Sequence, residues 1–235
     1  MLTIYVIIYV IVETRNLQKY RNVFFILIMK ILLISDRVVE HIYSNNIADR
    51  FSDISFVISC GDLPAYYLEF IVSTLNKPLF YVLGNHDINK IYTEDGIKSG
   101  LPEGCINLDQ KVIEYNGVIL MGLEGSMRYS GGDYQYSELQ MCRKINRLKP
   151  SLYKNKIFKK RYVDIVVTHA PPFKVHDGED LCHTGFKCFN DFIKKYKPKY
   201  LVHGHVHTYG TANNWETTIN STKVINAYGY RIIEI

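Results

Sequence analysis

The sequence has few of the residues that keep a chain from folding compactly. Among its 235 residues there are only 15 glycines and 7 prolines, and there is no internal repeat or low-complexity linker. Hydrophobic residues make up 47% of the chain and charged residues 22%, which is the balance of a folded protein rather than a disordered one. A chain of this length can bury one substantial core, so we expect one principal domain.

Cysteines are also few, and none has the spacing of a structural zinc site. The five of them are odd in number and include no Cys-x-x-Cys motif. We expect free thiols that pack as small hydrophobic side chains in a reducing compartment, and hence a cytoplasmic protein. The five are Cys60, Cys105, Cys142, Cys182 and Cys188.

The N-terminal apolar run is too short to cross a bilayer. Residues 2–12 number eleven, about half of the ~20 that a spanning helix needs. No basic segment precedes them and no small-residue cleavage site follows closely, so they do not resemble a signal peptide. We expect residues 1–28 to be a non-essential extension before a domain at 29–235. The alternatives are a strand added to a sheet edge and a peripheral membrane anchor, and we do not expect membrane association through residues 2–12.

Positive charge is modest and mostly dispersed. The net charge is +5, and the one basic run, from Lys154 to Arg161, is more typical of a solvated helix face than of a nucleic-acid patch. The 19 tyrosines lack the clustered basic residues of a base-stacking surface. We therefore expect no specific nucleic-acid binding.

From Met29 onward, apolar runs alternate with amphipathic segments, which predicts strands connected by helices. The Asn116–Gly117 pair between two apolar runs predicts a β-hairpin. The predicted strands cover residues 31–35, 54–59, 79–83, 110–115, 118–122, 164–168, 200–203, 222–226 and 230–234. The predicted helices cover residues 39–50, 66–75, 137–149 and 187–197.

Five of the predicted strands end in polar residues. Because the carboxyl ends of strands in an open α/β sheet share one crevice, we expect these side chains to lie together. One such residue alone means little, since Asp36 would also suit a helix N-cap and Asn85 a turn. Together they form a set of oxygen and nitrogen donors without thiolates, which suits a divalent metal such as Mn, Fe, Zn or Mg. The ionisable, amide and imidazole residues at these strand ends are Asp36, Asp62, Asn85, His86, Asp87, His169, His203, His205 and His207.

These segments read, in chain order, SDRV, CGDL, GNHD, THAPP and HGHVH. With these motifs the sequence resembles the calcineurin-like metallophosphoesterase superfamily from about Met29 to Ile235, and GNHD together with GHVH is the specific part. The resemblance implies an α/β fold with two packed mixed β-sheets flanked by helices, a four-layer αββα sandwich. Periodicity alone predicts only a mixed α/β domain.

The resemblance also implies two divalent metal ions, whose identity among Mn, Fe, Ni, Zn and Mg stays open. Two such ions clamp a phosphoryl group and lower the pKa of a bridging water, so that metal-bound hydroxide attacks phosphorus in line. His86 would stabilise the developing charge or protonate the leaving oxygen. Asp62 would bridge the two ions. The remaining ligands of one ion would be Asn85, His169 and His205, and the other ion would be held by Asp36 and His207.

The sequence departs from the family pattern at two points. The first motif usually reads Asp-x-His, but its third position here is Val38, so the first metal site is one ligand short. Glu40 or His41 would have to bend back to compensate; a water in the vacancy, with weaker metal binding, is the alternative we favour.

In the second motif, GDLPAYY lacks the Asp-Arg-Gly of the Ser/Thr protein phosphatases. We therefore expect hydrolysis of phosphodiesters or small phosphomonoesters rather than of phosphoproteins. The alternative is a degenerate interaction scaffold with little or no catalysis.

Two long loops border the expected crevice. One carries His176, Asp177 and His183, which could overhang the metals or could simply be solvated. The other, residues 124–138, carries Arg128, which could meet a phosphate or lie in an exposed loop that caps the next helix. The sequence assigns no role to His203.

Overall fold

The computed structural model describes residues 28–87, 90–93, 96–207 and 215–235. The predicted extension lies outside these residues except for residue 28, so its role stays a prediction. The helices are α1 (Ile47–Arg50), α2 (Ala65–Leu75), α3 (Glu138–Lys159) and α4 (Lys187–Tyr196). The strands are β1 (Lys30–Ser35), β2 (Ile54–Ser59), β3 (Leu79–Tyr81), β4 (Lys90–Thr93), β5 (Gly96–Ser99), β6 (Ile106–Asn107), β7 (Val112–Tyr115), β8 (Val118–Leu123), β9 (Ser126–Met127), β10 (Gln135–Tyr136), β11 (Ile165–Thr168), β12 (Tyr200–His203), β13 (Glu216–Ile219), β14 (Thr222–Asn226) and β15 (Gly229–Glu234).

Two mixed sheets form the centre of the molecule. The first has the strand order β15-β1-β2-β3-β6, and the second has the order β13-β14-β12-β11-β8-β7. Most neighbours are parallel, while the edge strands β15, β7 and β13 pair antiparallel with β1, β8 and β14. Backbone hydrogen bonds of 3.1 Å in both directions between Met29 and Ile235 extend the β1–β15 pairing by one residue.

The central strands, such as β1, β2, β8 and β11, are buried on both faces, which explains their continuous apolar sequences. In β1, Ile31 and Leu33 pack between the two sheets, and the alternate residues Leu32 and Ile34 face the helical layer. Period-two alternation sends successive side chains to opposite faces of a strand, so both faces must be apolar when both are covered. The core therefore lies in three layers, one between the sheets and one outside each sheet.

Helices cover the outer faces. Buried residues of α1 and α2 pack on the first sheet in a cluster that includes Ile47 and Tyr67. Buried residues of α3 and α4 pack on the second sheet, where Leu148 and Phe189 belong to one cluster. The four-layer αββα sandwich expected from the resemblance is confirmed.

The predicted hairpin is confirmed, but the helix predicted over residues 39–50 is wrong. β7 and β8 are antiparallel, and Asn116 and Gly117 adopt φ values of 47° and 83°, as a two-residue hairpin turn requires. Residues 39–46 form turns, and only Ile47–Arg50 is helical. The Ser44 hydroxyl donates to the His41 carbonyl at 3.0 Å, a local bond that competes with helical pairing.

Helix α3 is longer than predicted. It begins at a capping box formed by Ser137 and Gln140 and runs through Pro150 to Lys159. Leu148 and Leu152 are buried on either side of the proline, so packing on the core stabilises the helix beyond the expected break. Within the described part of the chain, no helix is both long and apolar enough to cross a membrane.

Candidate metal centre

Four strand ends bring the expected ligands to one edge of the sandwich. Asp36 follows β1 and Asp62 follows β2 in the first sheet, while His169 follows β11 and His205 follows β12 in the second. One ligand atom each from Asp62, His169 and His205 lie within 4.8 Å of one another. The two sheets thus contribute to one cluster of donors.

The backbone is strained at three of these residues. Asp36, Asp62 and His205 have φ values of 62°, 55° and 68°, in the left-handed region that residues with a Cβ rarely occupy. Such conformations persist only where the surrounding structure enforces them, and they are concentrated at functional sites. Here they turn each side chain abruptly out of its strand direction.

Two glycines allow the loops to approach closely. A Cβ at Gly84 would collide with the Asp62 carboxylate and the His169 ring, and a Cβ at Gly204 would collide with the Asp36 carboxylate. The glycines of GNHD and HGHVH are therefore required for packing against the ligands of neighbouring strands.

The His169 ring is held in a defined tautomer. Its Nδ1 lies 2.8 Å from the carbonyl oxygen of Cys60, which can only accept, so Nδ1 carries a proton. Nε2 faces two oxygens, at 3.0 Å from Asn85 Oδ1 and 3.3 Å from Asp62 Oδ2. A backbone carbonyl on one ring nitrogen, with the other nitrogen facing oxygen donors, is the usual arrangement of a metal-binding histidine.

The His205 ring is oriented in the same way. Its Nε2 donates to the carbonyl oxygen of Cys182 at 2.7 Å, which leaves Nδ1 as the unprotonated nitrogen of the neutral ring. Burial, followed by the neighbouring His169 charge, lowers the pKa of His205 to about 3. The ring is therefore neutral near pH 7, as metal binding requires.

Asp62 and His169 form a charge pair in the absence of metal. Burial opposes ionisation of Asp62, but attraction to His169 prevails and lowers the Asp62 pKa to about 2. Burial likewise opposes protonation of His169, and the Asp62 charge prevails and raises the His169 pKa to about 9. The extra proton on Nε2 supplies positive charge where a metal cation would supply more.

The other half of the site is less tightly assembled. Both carboxylate oxygens of Asp36 lie 3.0 Å from the backbone N–H of His205, and His207 Nε2 lies 3.9 Å from Asp36 Oδ1. Burial is the main cause that raises the pKa of Asp36. A buried carboxylate with so little compensating positive charge suits a cation, but fewer donors converge here than around Asp62.

No substitute for the missing ligand at Val38 is present among the neighbouring residues. The His41 ring packs edge-on against Tyr230, with ring centroids 5.0 Å apart, and Glu40 is exposed. Val38 itself packs against the apolar cluster between the first sheet and its helices. Compensation by His41 or Glu40, one of the alternatives left by the sequence, has no support in this geometry.

His86 lies at the exposed rim of the cluster. Its backbone N–H donates to Asp62 Oδ1 at 2.8 Å, so its position is fixed relative to that carboxylate. Its side chain and Asp62 both line a cavity of about 520 Å³. His86 therefore borders Asp62 and a cavity that extends along α2, and Asp62 is the one proposed metal ligand among the described residues that line it.

Two supporting residues had no role assigned to them from the sequence. Asp87 accepts backbone N–H groups from Gly84 at 2.7 Å, Asp62 at 2.9 Å and Leu63 at 3.2 Å, and thereby ties two motif loops together. The Tyr129 hydroxyl accepts from Asn85 Nδ2 at 3.1 Å and orients the amide oxygen towards His169. Asp87 is the last residue of GNHD and could have been found there, whereas nothing in the sequence distinguishes Tyr129 from the other loop tyrosines.

The loop residues considered from sequence have mostly structural partners. Arg128 donates to Gln140 Oε1 at 3.0 Å at the start of α3. Asp177 Oδ2 accepts from two backbone N–H groups of its own loop. The His183 ring lies 5.2 Å from the His205 ring, so this loop does cover one candidate ligand.

His176 and His203 are linked to each other rather than to the cluster. His203 Nδ1 donates to the Gly204 carbonyl at 2.9 Å, so its neutral ring accepts at Nε2 from His176 Nδ1, at 3.0 Å. His176 Nε2 in turn accepts from the Thr217 hydroxyl at 2.8 Å. Neither ring faces the candidate metal ligands with a free nitrogen.

The donor set fits divalent metal ions. Two imidazoles, an ionised carboxylate and an amide oxygen converge around Asp62, and a second carboxylate and imidazole follow at Asp36 and His207. A metal cation would take the place of the Nε2 proton of His169. Nitrogen and oxygen donors of this kind bind Mn, Fe, Ni or Zn, and Mg where oxygen dominates. The residues present therefore suit the metals that the sequence resemblance implies.

Comparison with known proteins gives a family match and several structural matches. Residues 29–209 match the calcineurin-like phosphoesterase family. The structure of TT1561 of Thermus thermophilus matches with a TM-score of 0.56 at 13% identity, covering 86% of this chain and 90% of that one. Vacuolar Protein Sorting 29 from Cryptosporidium parvum matches with a TM-score of 0.43 at 13% identity, covering 88% and 86%. A novel archaeal phosphodiesterase matches with a TM-score of 0.38 at 16% identity, covering 88% and 100%.

No curated protein matches the sequence. At these identities the structural matches concern the fold alone. The family match, in contrast, covers more than half of the chain and includes each of the five motifs. The chain belongs to the calcineurin-like phosphoesterase family.

Proposed function

We propose that this protein is a metal-dependent phosphoesterase that hydrolyses phosphodiesters or small phosphomonoesters at a dinuclear site. The observation that carries the proposal is the convergence of Asp62, His169 and His205, with each imidazole held by a backbone carbonyl so that its other nitrogen is available. When bound, the metals supply the positive charge and the activated water that phosphoester hydrolysis needs.

In this proposal the ligands fall into two groups. Asp62 would bridge the two ions. Asn85, His169 and His205 would complete the ligands of one ion, and Asp36 and His207 would hold the other; contacts within each group support this division. The first metal site, at Asp36, is weakened because Val38 offers no donor. We expect one ion to be held more firmly than the other.

His86 is the proposed catalytic residue. Its backbone is anchored to Asp62 while its side chain lines the cavity, so its imidazole can donate to a phosphate oxygen or to the leaving oxygen without leaving the cluster. The alternative role is a structural hydrogen bond within the loop, and the bonds of the described residues give the His86 ring no such partner.

Two features favour small phosphate esters as substrates, and a third favours a location in the reducing cytoplasm. The cavity beside His86 is about 520 Å³, a size that admits a small ester group. The second motif lacks the protein-phosphatase continuation. All five cysteines are free thiols.

Hydrolysis assays test the proposal directly. Bis-p-nitrophenyl phosphate and p-nitrophenyl phosphate are offered with Mn²⁺, Ni²⁺, Fe²⁺, Zn²⁺ or Mg²⁺, to the parent protein and to Asp62→Ala and His86→Ala. We expect metal-stimulated turnover that both substitutions reduce by about 100-fold or more. Asp53→Ala is the matched control, because it removes a carboxylate that forms an exposed ion pair with Lys30. If the parent protein neither hydrolyses these esters nor binds metal, the proposal of a metal-dependent phosphoesterase would be refuted.

A degenerate interaction scaffold is the second candidate, and Val38 is the observation that favours it. Loss of a ligand is what relaxed selection on metal binding would leave. A scaffold has no requirement for His86, however, and that residue is retained at the rim. A protein that binds metal but hydrolyses neither ester, and whose metal binding is unaffected by His86→Ala, would favour the scaffold over the phosphoesterase.

A further inference from the structure

A second group of ligand-forming side chains lies between α3 and α4. Glu138 and Cys142 are one turn apart on α3, and Cys188 faces them from the first turn of α4. Positions i and i+4 share a helix face, so the first two side chains point to the same partner. None of the three belongs to the phosphoesterase site.

The ligand atoms are close enough to share one ion. One oxygen of Glu138 and the two sulfurs lie within 4.8 Å of one another, and Cys142 Sγ is 3.8 Å from Glu138 Oε1. Tetrahedral zinc has bonds of about 2.3 Å to sulfur and about 2.0–2.2 Å to carboxylate oxygen, which puts neighbouring ligands ~3.5–3.8 Å apart. Small side-chain rotations would bring all three atoms to these separations.

Glu138 already has a structural role, which is compatible with binding an ion. Its two oxygens accept the backbone N–H groups of Lys187 at 3.1 Å and Cys188 at 2.7 Å, so it caps the start of α4. Each carboxylate oxygen has a second lone pair, which faces away from the N–H group it accepts. The cap fixes the carboxylate beside both thiols.

Charges of both signs border the cluster: Glu138 and Asp191 are acidic, and Lys149 and Lys195 line the same cavity. Burial, followed by the negative charge of Glu138, raises the pKa of the Cys188 thiol well above its usual value. Without a cation, the Cys188 thiol therefore keeps its proton. A divalent ion would offset two thiolates, and the N-terminal end of α4 would stabilise the remaining negative charge.

The cluster is open to solvent on one side. Cys142 and Cys188 both line a cavity of about 270 Å³ between the two helices, together with Asn146 and Asp191. An ion could enter through this cavity, and a water could complete its coordination there.

We propose that Glu138, Cys142 and Cys188 form a binding site for one thiophilic divalent cation of the zinc class, distinct from the phosphoesterase metals. Two thiolates and one carboxylate are the protein ligands, and the fourth position faces the cavity. Binding releases two protons, one from each thiol. The ion would link α3 to α4 on the outer face of the second sheet.

Cobalt spectroscopy on the full chain tests the proposal. The reduced, chelator-treated protein is titrated with Co²⁺ without oxygen, and thiolate-to-cobalt charge-transfer absorption in the near ultraviolet is recorded. The phosphoesterase ligands are nitrogen and oxygen atoms, so only cysteine ligation gives this absorption. We expect the absorption of one thiolate-bound cobalt ion per chain at saturation, whatever the amount bound at the nitrogen and oxygen ligands, and its loss in Cys142→Ser and in Cys188→Ser.

Two matched variants separate this site from the other one. Cys182→Ser removes a thiol that belongs to another cluster, with Asp180 and His183, and should keep the absorption. Asp62→Ala disables the proposed phosphoesterase site and should also keep it. Absorption that persists in Cys142→Ser/Cys188→Ser, or that disappears in Cys182→Ser, would overturn the proposal while leaving the phosphoesterase intact.

Alkylation of the unmutated protein avoids any dependence on variant folding. Zn²⁺ should slow iodoacetamide labelling of Cys142 and Cys188 by about tenfold or more, read peptide by peptide by mass spectrometry, because bound thiolates are shielded. Labelling of Cys105 should not change. Equal labelling of Cys142 and Cys188 with and without saturating Zn²⁺ would rule the site out.

Discussion

The Nδ1 proton of His169 is donated to the carbonyl oxygen of Cys60, 2.8 Å away. His169 belongs to the second sheet and Cys60 to the first, so this bond joins the two sheets at the edge where the candidate ligands meet. Both residues are fully buried. The orientation of one proposed ligand is thus set by the opposite sheet.

Replacing His169 by alanine should remove one ligand of the firmer metal. We expect the affinity for that ion to fall by about 100-fold or more, measured by calorimetric titration of the chelator-treated protein. His41→Ala removes an imidazole that packs on Tyr230 and should leave the affinity unchanged. Similar losses in both variants would contradict the assignment of His169.

Restoring a histidine at Val38 should tighten binding of the weaker metal. Val38→His adds a nitrogen donor at the position where the family pattern has one, so we expect the second binding step to strengthen by about tenfold or more. The measurement is the stoichiometry and affinity of Mn²⁺ or Zn²⁺ before and after the change. Unchanged affinity would argue that another group already completes this site.

Removing the Asp87 carboxylate should destabilise the protein as well as the site. Asp87→Ala leaves three backbone N–H groups without their acceptor, so we expect the free energy of unfolding to fall by about 2–4 kcal/mol. Urea denaturation measures the loss. Asp53→Ala, which breaks only the exposed pair with Lys30, should have a much smaller effect.

The ammonium group of Lys144 should be a major determinant of stability. It lies 2.9 Å from Asp109 and 3.2 Å from Glu124, and it is almost fully buried. Lys144→Met leaves two carboxylates without their cation, so we expect a loss of about 3–5 kcal/mol in the free energy of unfolding.

Lys159→Met is the matched control for Lys144. Lys159 lies on the same helix as Lys144 and forms a partly exposed ion pair with Glu114 of β7. Breaking that pair should change the free energy of unfolding far less. Equal losses in the free energy of unfolding for the two variants would show that burial does not determine how much the Lys144 ion pairs contribute to stability.

Acid should destabilise the fold through the His176–His203 pair. Burial, followed by the proximity of His176, lowers the pKa of His203 to about 3, and burial lowers the pKa of His176. As pH falls below about 6.5, the usual value for histidine, the unfolded chain binds protons that these native rings exclude, so unfolding becomes easier. The charges of His169 and His205 also contribute to lowering the His203 pKa, but the pKa of His169 itself is raised, so His169 does not add to this loss.

Urea denaturation of the metal-free protein between pH 7.5 and 4.5 measures this effect. His176→Gln removes one of the two excluded protons and keeps a hydrogen-bonding side chain, so the loss of stability with falling pH should be shallower than in the parent protein. A slope identical to that of the parent would show that His176 does not contribute.

The sequence predicted the parts of the site that follow from strand ends. Asp62, His169 and His205 meet because parallel strands deliver their carboxyl ends to one edge, and that property is visible in the alternation of apolar and polar residues. The family resemblance was needed to divide the strands between two sheets, because the periodicity of apolar residues predicts a strand but not the strands with which it pairs.

Other parts depend on contacts between distant segments. The Tyr129 hydroxyl and the Cys182 carbonyl reach the site from loops whose paths no local pattern encodes. The failed helix at residues 39–50 has a different cause. Its apolar spacing is helical, but Ser44 and its neighbouring asparagines favour turns.

The pairing of β1 with β15 has a consequence for synthesis of the protein. β1 carries Asp36 at its end, and its two neighbours are β2 and β15, the second and the last of the described strands. A nascent chain that has reached only β14 therefore has an open edge at β1, with unpaired N–H and C=O groups available to other strands. Pausing of translation, or truncation before Gly229, would expose this edge and favour aggregation before the metal centre could form.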